Sequence, residues 1–186
     1  KYLFIDYSQK NWSSNLPNEV HSAINFIGPT AKEFSNGGID VGLEVQETLK
    51  SVVQGINQSS IKKVVNISSI HVYSNSLDSE YKEDNSLDNT HPYAVGHIKK
   101  EELFSKQLNS DIQLINLRLG NVFGAPSDFC GDFENLFINQ ITKSLFLNSR
   151  AEIRSNRFTR RNFLSKADFC LGLAKVVFDK KINYVG

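Results

Sequence analysis

The run Lys63-Val64-Val65-Asn66-Ile67 does most to narrow what this chain can become. It is short, rich in β-branched residues and lacks polar alternation, which suits a strand covered on both faces. Such a strand belongs inside a parallel sheet, and a sheet of that kind needs helices to cover it. The flanking sequence supplies them. Residues 41–56 carry apolar side chains at 41, 45, 49, 52, 53 and 56, the spacing of one helix face. Residues 93–108 read as a second helix with Pro92 near its first turn.

The remaining segments extend the alternation. Residues 2–5 and 19–27 read as strands, the second stopping at Gly28-Pro29, with a turn at Leu16-Pro17-Asn18 between them. Residues 112–119 form another β run, 133–147 and 167–177 read as helices, and 151–154 and 161–164 as short strands. Residues 75–91 and 121–132 are polar loop. The order predicts a doubly wound α/β fold with a parallel sheet and crossover helices. Residues 1–125 would form the sheet-and-helix core, and residues 126–186 a smaller region that covers the strand ends.

With 186 residues, 40% hydrophobic and 22% charged, the chain can bury a sizeable core. A formal net charge of +1 argues against nucleic acid as a dominant partner, because counterion release needs a clustered basic surface. No run of about 18 apolar residues is present, so no membrane span is expected. The opening KYLFIDYSQK lacks the apolar core and cleavage site of a signal peptide, which makes a cytoplasmic enzyme the default. Cys130 and Cys170, far apart in sequence, are expected to be two buried thiols rather than a disulfide or a metal pair. There is no CxxC or HExxH pattern, and no metal site is expected. The chain opens in a strand and contains no Met, so a fragment is expected.

Three pieces carry chemistry. Ile67-Ser68-Ser69-Ile70-His71-Val72-Tyr73 runs from a strand end into a loop, Pro92-Tyr93-Ala94-Val95-Gly96-His97 starts a helix, and Leu117-Arg118-Leu119-Gly120-Asn121-Val122-Phe123-Gly124 is another strand end. Ligands of open parallel sheets bind at the carboxyl ends of strands, so all three fall on the binding edge. Read alone, Ser68-Ser69 is also an ordinary strand-to-loop transition, and Arg160-Arg161 an ordinary solvated charge pair. Asp168 reads as a helix N-terminal residue favoured by the dipole. Phe133, Phe137 and Ile141, at helical spacing, read as core.

Taken in order, ISS-x-x-VY, a Tyr-xxx-basic step about two dozen residues on, and LRLxNVFG resemble the signature of the extended short-chain dehydrogenase/reductases, the NAD-dependent epimerase/dehydratase family. GIDVGLEVQETLKSVVQ…IKKVV resembles their helix leading to the central strand, and RRNFLSKAD their C-terminal segment. The resemblance implies a Rossmann-like sheet, here lacking its first β-α-β, NAD or NADP as cofactor, and a nucleotide-sugar substrate that is epimerised, dehydrated or reduced. It implies a catalytic Tyr93 whose phenol relays a proton, with Ser69 bonded to the same substrate oxygen. It sets Asp6 and Tyr7 beside adenine, Phe26, Ile27 and Gly28 under the dinucleotide, and Gly120 near the nicotinamide. Asn121 and Arg161 would meet the substrate, Arg161 through its diphosphate. The helices around residues 41–56 and 93–108 resemble a dimer-forming pair, so a homodimer is expected.

This sequence departs from the family at several positions. His97 stands where the family usually has Lys, four residues after Tyr93 and on the same helix face. A fixed cation there lowers the Tyr pKa. Moving a phenol from about 10 to about 7 takes roughly 4 kcal/mol, and a His near 6.5 supplies less of it. Lys100 lies on that face, about 10 Å along the axis from Tyr93. Glu44 stands where the family usually has Asn, and Glu47 where it often has Gly. No Gly-x-x-Gly-x-x-Gly turn follows a strand, which predicts weak dinucleotide binding. Two rival expectations follow: a non-catalytic dinucleotide-sensing or scaffolding relative, and an inactive fragment of the enzyme.

Overall fold

The computed structural model describes residues 5–7, 9, 11–28, 39–73, 80–125, 136–153 and 160–179. Its elements are β1 (Ser22–Asn25), α1 (Ile39–Asn57), β2 (Lys63–Ser69), α2 (Pro92–Gln107), β3 (Gln113–Leu119), β4 (Asn121–Phe123), α3 (Phe137–Asn148), β5 (Phe163–Ser165) and α4 (Lys166–Phe178). Single 3-10 turns occupy Trp12–Asn15 and Ile70–Val72. The chain forms two compact units, residues 1–119 with 176–186, and residues 120–175.

In the first unit, β1, β2 and β3 form a 3-stranded parallel sheet in that order. The central strand is β2, as its apolar run requires: Val64 and Val65 have no exposed surface. From α1, Leu49, Val52, Val53 and Ile56 pack with Ile61, Val64, Phe104 and Ile112 to make the core. Phe104 is the contribution of α2, so both long helices seal against the sheet. Fully burying each of these side chains is worth about 1.5–3 kcal/mol. Trp12 lies so close to Gly55 of α1 that a Cβ there would stand 2.4 Å from its ring. Its indole N–H donates to the Ser51 carbonyl at 3.3 Å.

Asn66, wholly buried in the middle of β2, is satisfied sideways rather than by solvent. It accepts from Asn25 Nδ2 at 2.9 Å and donates to Asn116 Oδ1 at 2.8 Å. The parallel register sets these three amides side by side, since Asn25 pairs with Asn66 and Asn66 with Asn116. A polar residue inside an apolar strand is tolerated when its bonds are met in this way.

In the second unit, β4 and β5 pair in parallel, Asn121 opposite Phe163. Helix α4 starts with reciprocal bonds: Asp168 N–H donates to Ser165 Oγ at 3.0 Å, and that hydroxyl donates to the Asp168 carboxylate at 2.6 Å. This is the helix-start role expected of Asp168.

Several expectations change. Strand β4 falls within the stretch read as loop, because three residues of edge strand leave no periodicity to detect. Residues 151–153 are not a strand. β1 covers only four of the residues expected from 19 to 27. Cys170 is exposed rather than buried, since α4 buries none of its residues. Cys130, residues 2–4 of the expected first strand and the side chain of Glu44 lie outside the described residues.

Candidate active site

The C-terminal end of β2 builds the centre of the site. Ser68 and Ser69 are its last residues and both are buried. The Ser69 hydroxyl accepts from His71 N–H at 3.3 Å and so caps the 3-10 turn that follows. His71 in turn presents its ring to the Tyr93 ring, centroids 6.0 Å apart at 73°. Tyr93, half-buried, is the second residue of α2, after the Pro92 that starts the helix and the His91 that caps it. His71 thus touches both residues, Ser69 through its backbone N–H and Tyr93 through its ring.

His97 is one turn along α2 from Tyr93, and its ring stands edge-on to the phenol at 4.7 Å between centroids. It is only 6% exposed, and neither ring nitrogen has a hydrogen-bond partner among the described residues. Burial, followed by the positive charges of Lys100 and His71, pushes its pKa from 6.5 down to about 3. The imidazole is therefore neutral at physiological pH, with one donor and one acceptor nitrogen open. It cannot supply the cationic field that a lysine at this position would provide.

Two charged side chains of α2 are buried as well. Lys100 is 2% exposed and donates to the carbonyls of Ile27 at 3.3 Å and Ile67 at 2.5 Å. Burial lowers its pKa from 10.5 to about 8, opposed by the nearby Glu101 carboxylate. Glu101, 3% exposed, accepts from Ser68 Oγ and takes a bidentate bond from Arg118. The Arg118 Nε and Nη2 distances to its carboxylate are 3.1 and 2.7 Å. Arg118 Nη1 also donates to the Tyr73 hydroxyl at 2.8 Å, and Glu101 holds the guanidinium pKa above its ordinary value. Arg118, a charge within the apolar run of β3, was the signal in the sequence that a buried carboxylate must face it.

The other expected residues of this unit are Phe26, Ile27 and Gly28, which follow β1, and Asp6 and Tyr7. Phe26 is 62% exposed just past β1, and Ile27 and Gly28 are half-buried. The Ile27 N–H donates to Asn25 Oδ1 at 3.2 Å, while Asn25 Nδ2 donates back to the Ile27 carbonyl at 3.1 Å. Asp6 and Tyr7 are exposed, in the turn leading to Trp12.

In the second unit, Gly120 approaches Asn162 so closely that a Cβ would stand 3.2 Å from its carbonyl oxygen. Asn121 binds the same carbonyl through its backbone N–H and its side-chain amide, each at 3.0 Å. Arg161 stacks over the Phe137 ring at 5.0 Å and lines an open depression of about 460 Å³ with Gln140, Ser144 and Glu152. A guanidinium over an aromatic face beside an open hollow suits a planar or phosphorylated ligand.

A model of the NAD dependent epimerase/dehydratase family matches residues 35–181. The fold is similar to that of UDP-glucuronic acid 4-epimerase from Bacillus cereus in complex with UDP-glucuronic acid and NAD, at 19% identity and a TM-score of 0.73, over 97% of this chain and 56% of that one. It is also similar to dTDP-glucose 4,6-dehydratase from Streptomyces venezuelae with NAD and TYD bound, at 16% identity and a TM-score of 0.72, over 92% of this chain and 52% of that one. UDP-N-acetylglucosamine 4-epimerase from Bacillus cereus matches at 16% identity and a TM-score of 0.69, over 99% of this chain and 62% of that one. The chain thus spans between about half and three-fifths of the length of these solved structures. No match to a curated protein was found.

Proposed function

The chain belongs to the NAD dependent epimerase/dehydratase family, and on that premise we propose that it is part of a dinucleotide-dependent enzyme acting on a nucleotide-activated sugar. The reaction is an epimerisation, dehydration or reduction, with NAD favoured over NADP by the cofactor that the similar structures hold. The observation that supports the reading is that His71 touches Ser69 through its backbone N–H and Tyr93 through its ring, with the buried His97 edge-on to Tyr93.

The residues fit a nicotinamide dinucleotide. His97 buries two unpartnered ring nitrogens, and a neutral imidazole offers one donor and one acceptor, the set that a pair of ribose hydroxyls can meet. Phe26, Ile27 and Gly28 form a turn past β1 on which the dinucleotide would lie. The nicotinamide, when bound, supplies hydride acceptance and return. Tyr93 takes the proton from the sugar hydroxyl at its phenolic oxygen and later gives it back. Ser69 bonds the same oxygen and orients it. Arg161 holds the diphosphate and Asn121 the sugar.

A second reading has one observation in its favour. A neutral His97 leaves the Tyr93 phenol without the adjacent cation that normally prepares it for proton transfer. The protein would then bind the dinucleotide and sugar without turning them over. The helices α1 and α2, which share the core through Val53 and Phe104, are the pair on which a homodimer would form. No helix among the described residues is long and apolar enough to cross a membrane, and a cytoplasmic location is part of the proposal.

The test is to incubate the full-length protein with NAD and a panel of UDP- and dTDP-sugars, following both cofactor binding and sugar product. Binding with product that falls about 100-fold or more in Ser69→Ala supports the enzyme. Binding without product from any sugar supports the second reading. Failure to bind NAD or NADP overturns both.

A further inference from the structure

A chain of hydrogen bonds runs through the sheet of the first unit. It starts at Asn116 in β3, passes through Asn66 in β2 to Asn25 in β1, and leaves β1 through the paired bonds between the Asn25 amide and the backbone of Ile27. The Ile27 carbonyl then accepts a second bond, from Lys100 of α2. The same ammonium donates to the carbonyl of Ile67, one residue after Asn66 on β2, so the backbone between Asn66 and Ile67 completes a ring that leaves Asn116 outside it.

Lys100 is an unusual member of that ring. A lysine is rarely buried completely, and one that is buried normally faces a carboxylate. Here the neighbouring carboxylate of Glu101 is committed to Arg118 and Ser68. The ammonium bonds backbone carbonyls instead, one in β2 and one just past the tip of β1. It also occupies the space beside Gly28: a Cβ at that residue would stand 2.6 Å from Lys100 Nζ and 3.4 Å from its Cε. Sequence, fold and charge therefore converge on the turn Phe26–Gly28, whose shape is set by the amide of Asn25 on one side and by Lys100 on the other.

We propose that Lys100 is a positioning residue: through the carbonyls of Ile27 and Ile67 it holds the turn at residues 26–28 in the shape on which a dinucleotide rests, before any cofactor arrives. The cofactor half of this statement rests on the function proposed above. The pinning half does not. Pre-forming the turn spares the ordering cost that a loose turn would add to binding. The lysine acts through the backbone and has no need to reach the nicotinamide or the sugar.

Two measurements on the full-length protein test the two halves separately. The first is amide hydrogen exchange without cofactor, comparing wild type with Lys100→Met, which keeps the length of the side chain and removes the donors. The Ile27 amide should exchange at least about tenfold faster in the variant, while Val64 and Val65 in the middle of β2 keep their protection. Gly28→Ala should speed the same amide by displacing the ammonium, with Lys100 itself intact. The second is NAD affinity against thermal stability. Lys100→Met should weaken NAD binding about tenfold with a Tm equal to or above that of wild type, a split that general loss of structure would not give. Unchanged exchange at Ile27 in both variants overturns the pin. Faster exchange with unchanged NAD affinity overturns its role in cofactor binding. A wild-type protein that binds no dinucleotide overturns the function proposed above, and with it the cofactor half of this proposal, while exchange still decides the pin.

Discussion

The imidazole of His97 stands edge-on to the phenol of Tyr93, ring centroids 4.7 Å apart, with both of its nitrogens buried and unbonded among the described residues. This contact gives the site a pH dependence of definite sign. The ring titrates near 6.5 when the chain is unfolded and near 3 when folded. A depressed pKa of this kind contributes stability that is complete above about pH 6.5 and is lost as pH falls toward 3, because the unfolded chain takes up the proton first. Between pH 7 and pH 4.5 the loss from this group alone is about 2–3 kcal/mol. Replacing His97 with Phe should remove that portion of the acid limb. Urea unfolding of wild type and variant at both pH values measures the difference, and parallel losses would contradict the assignment.

Glu101 and Arg118 form an ion pair that is almost out of reach of water, their side chains 4% and 17% exposed. Breaking one partner leaves the other charge stranded, at a cost of about 3–5 kcal/mol. Glu101→Leu should therefore destabilise the fold by roughly 3 kcal/mol, somewhat eased by the bonds Arg118 keeps to Tyr73 and the Glu83 carbonyl. The double variant with Arg118→Met should cost clearly less than the sum of the single variants. Additive losses in denaturant unfolding would show that the pair is not coupled.

Gly55 sits in the interior of α1, where alanine normally improves a helix by about 1 kcal/mol. Here the added Cβ would stand 2.4 Å from the Trp12 ring. Gly55→Ala should instead destabilise by about 1–3 kcal/mol, as overpacking does. The chain contains one Trp, so its fluorescence reports the event directly. The emission should shift toward that of a solvated indole. A stabilised variant with unchanged emission would contradict the packing.

The order of strands and helices in the first unit was legible because each element carried its own period. The apolar run at residues 63–67 became β2, and the helical spacing over 41–56 became α1. The burial of Lys100 and Glu101 was not legible, because a charged pair on a helix reads as solvated surface. Its trace lay in another element: Arg118 interrupts the apolar run of β3 and needs a partner. The amide ladder left a similar trace, one Asn inside each of the three apolar strands, but only the register shows that they align. Trp12 and Gly55 are far apart in sequence, and nothing local to either announces their contact. Ser69 and Tyr93 were singled out by motif order, whereas nothing in the sequence pattern announced the contacts that His71 makes with each of them.

Cofactor reduction on the enzyme decides whether the Tyr93 phenol moves the proton. The full-length protein loaded with NAD should develop the absorbance of reduced nicotinamide when its sugar nucleotide is added, and Tyr93→Phe should slow that step by about 10²–10⁴-fold while binding NAD as wild type does. A Tyr93→Phe protein that reduces its cofactor at the wild-type rate would contradict the assignment of the phenol as the group that moves the proton.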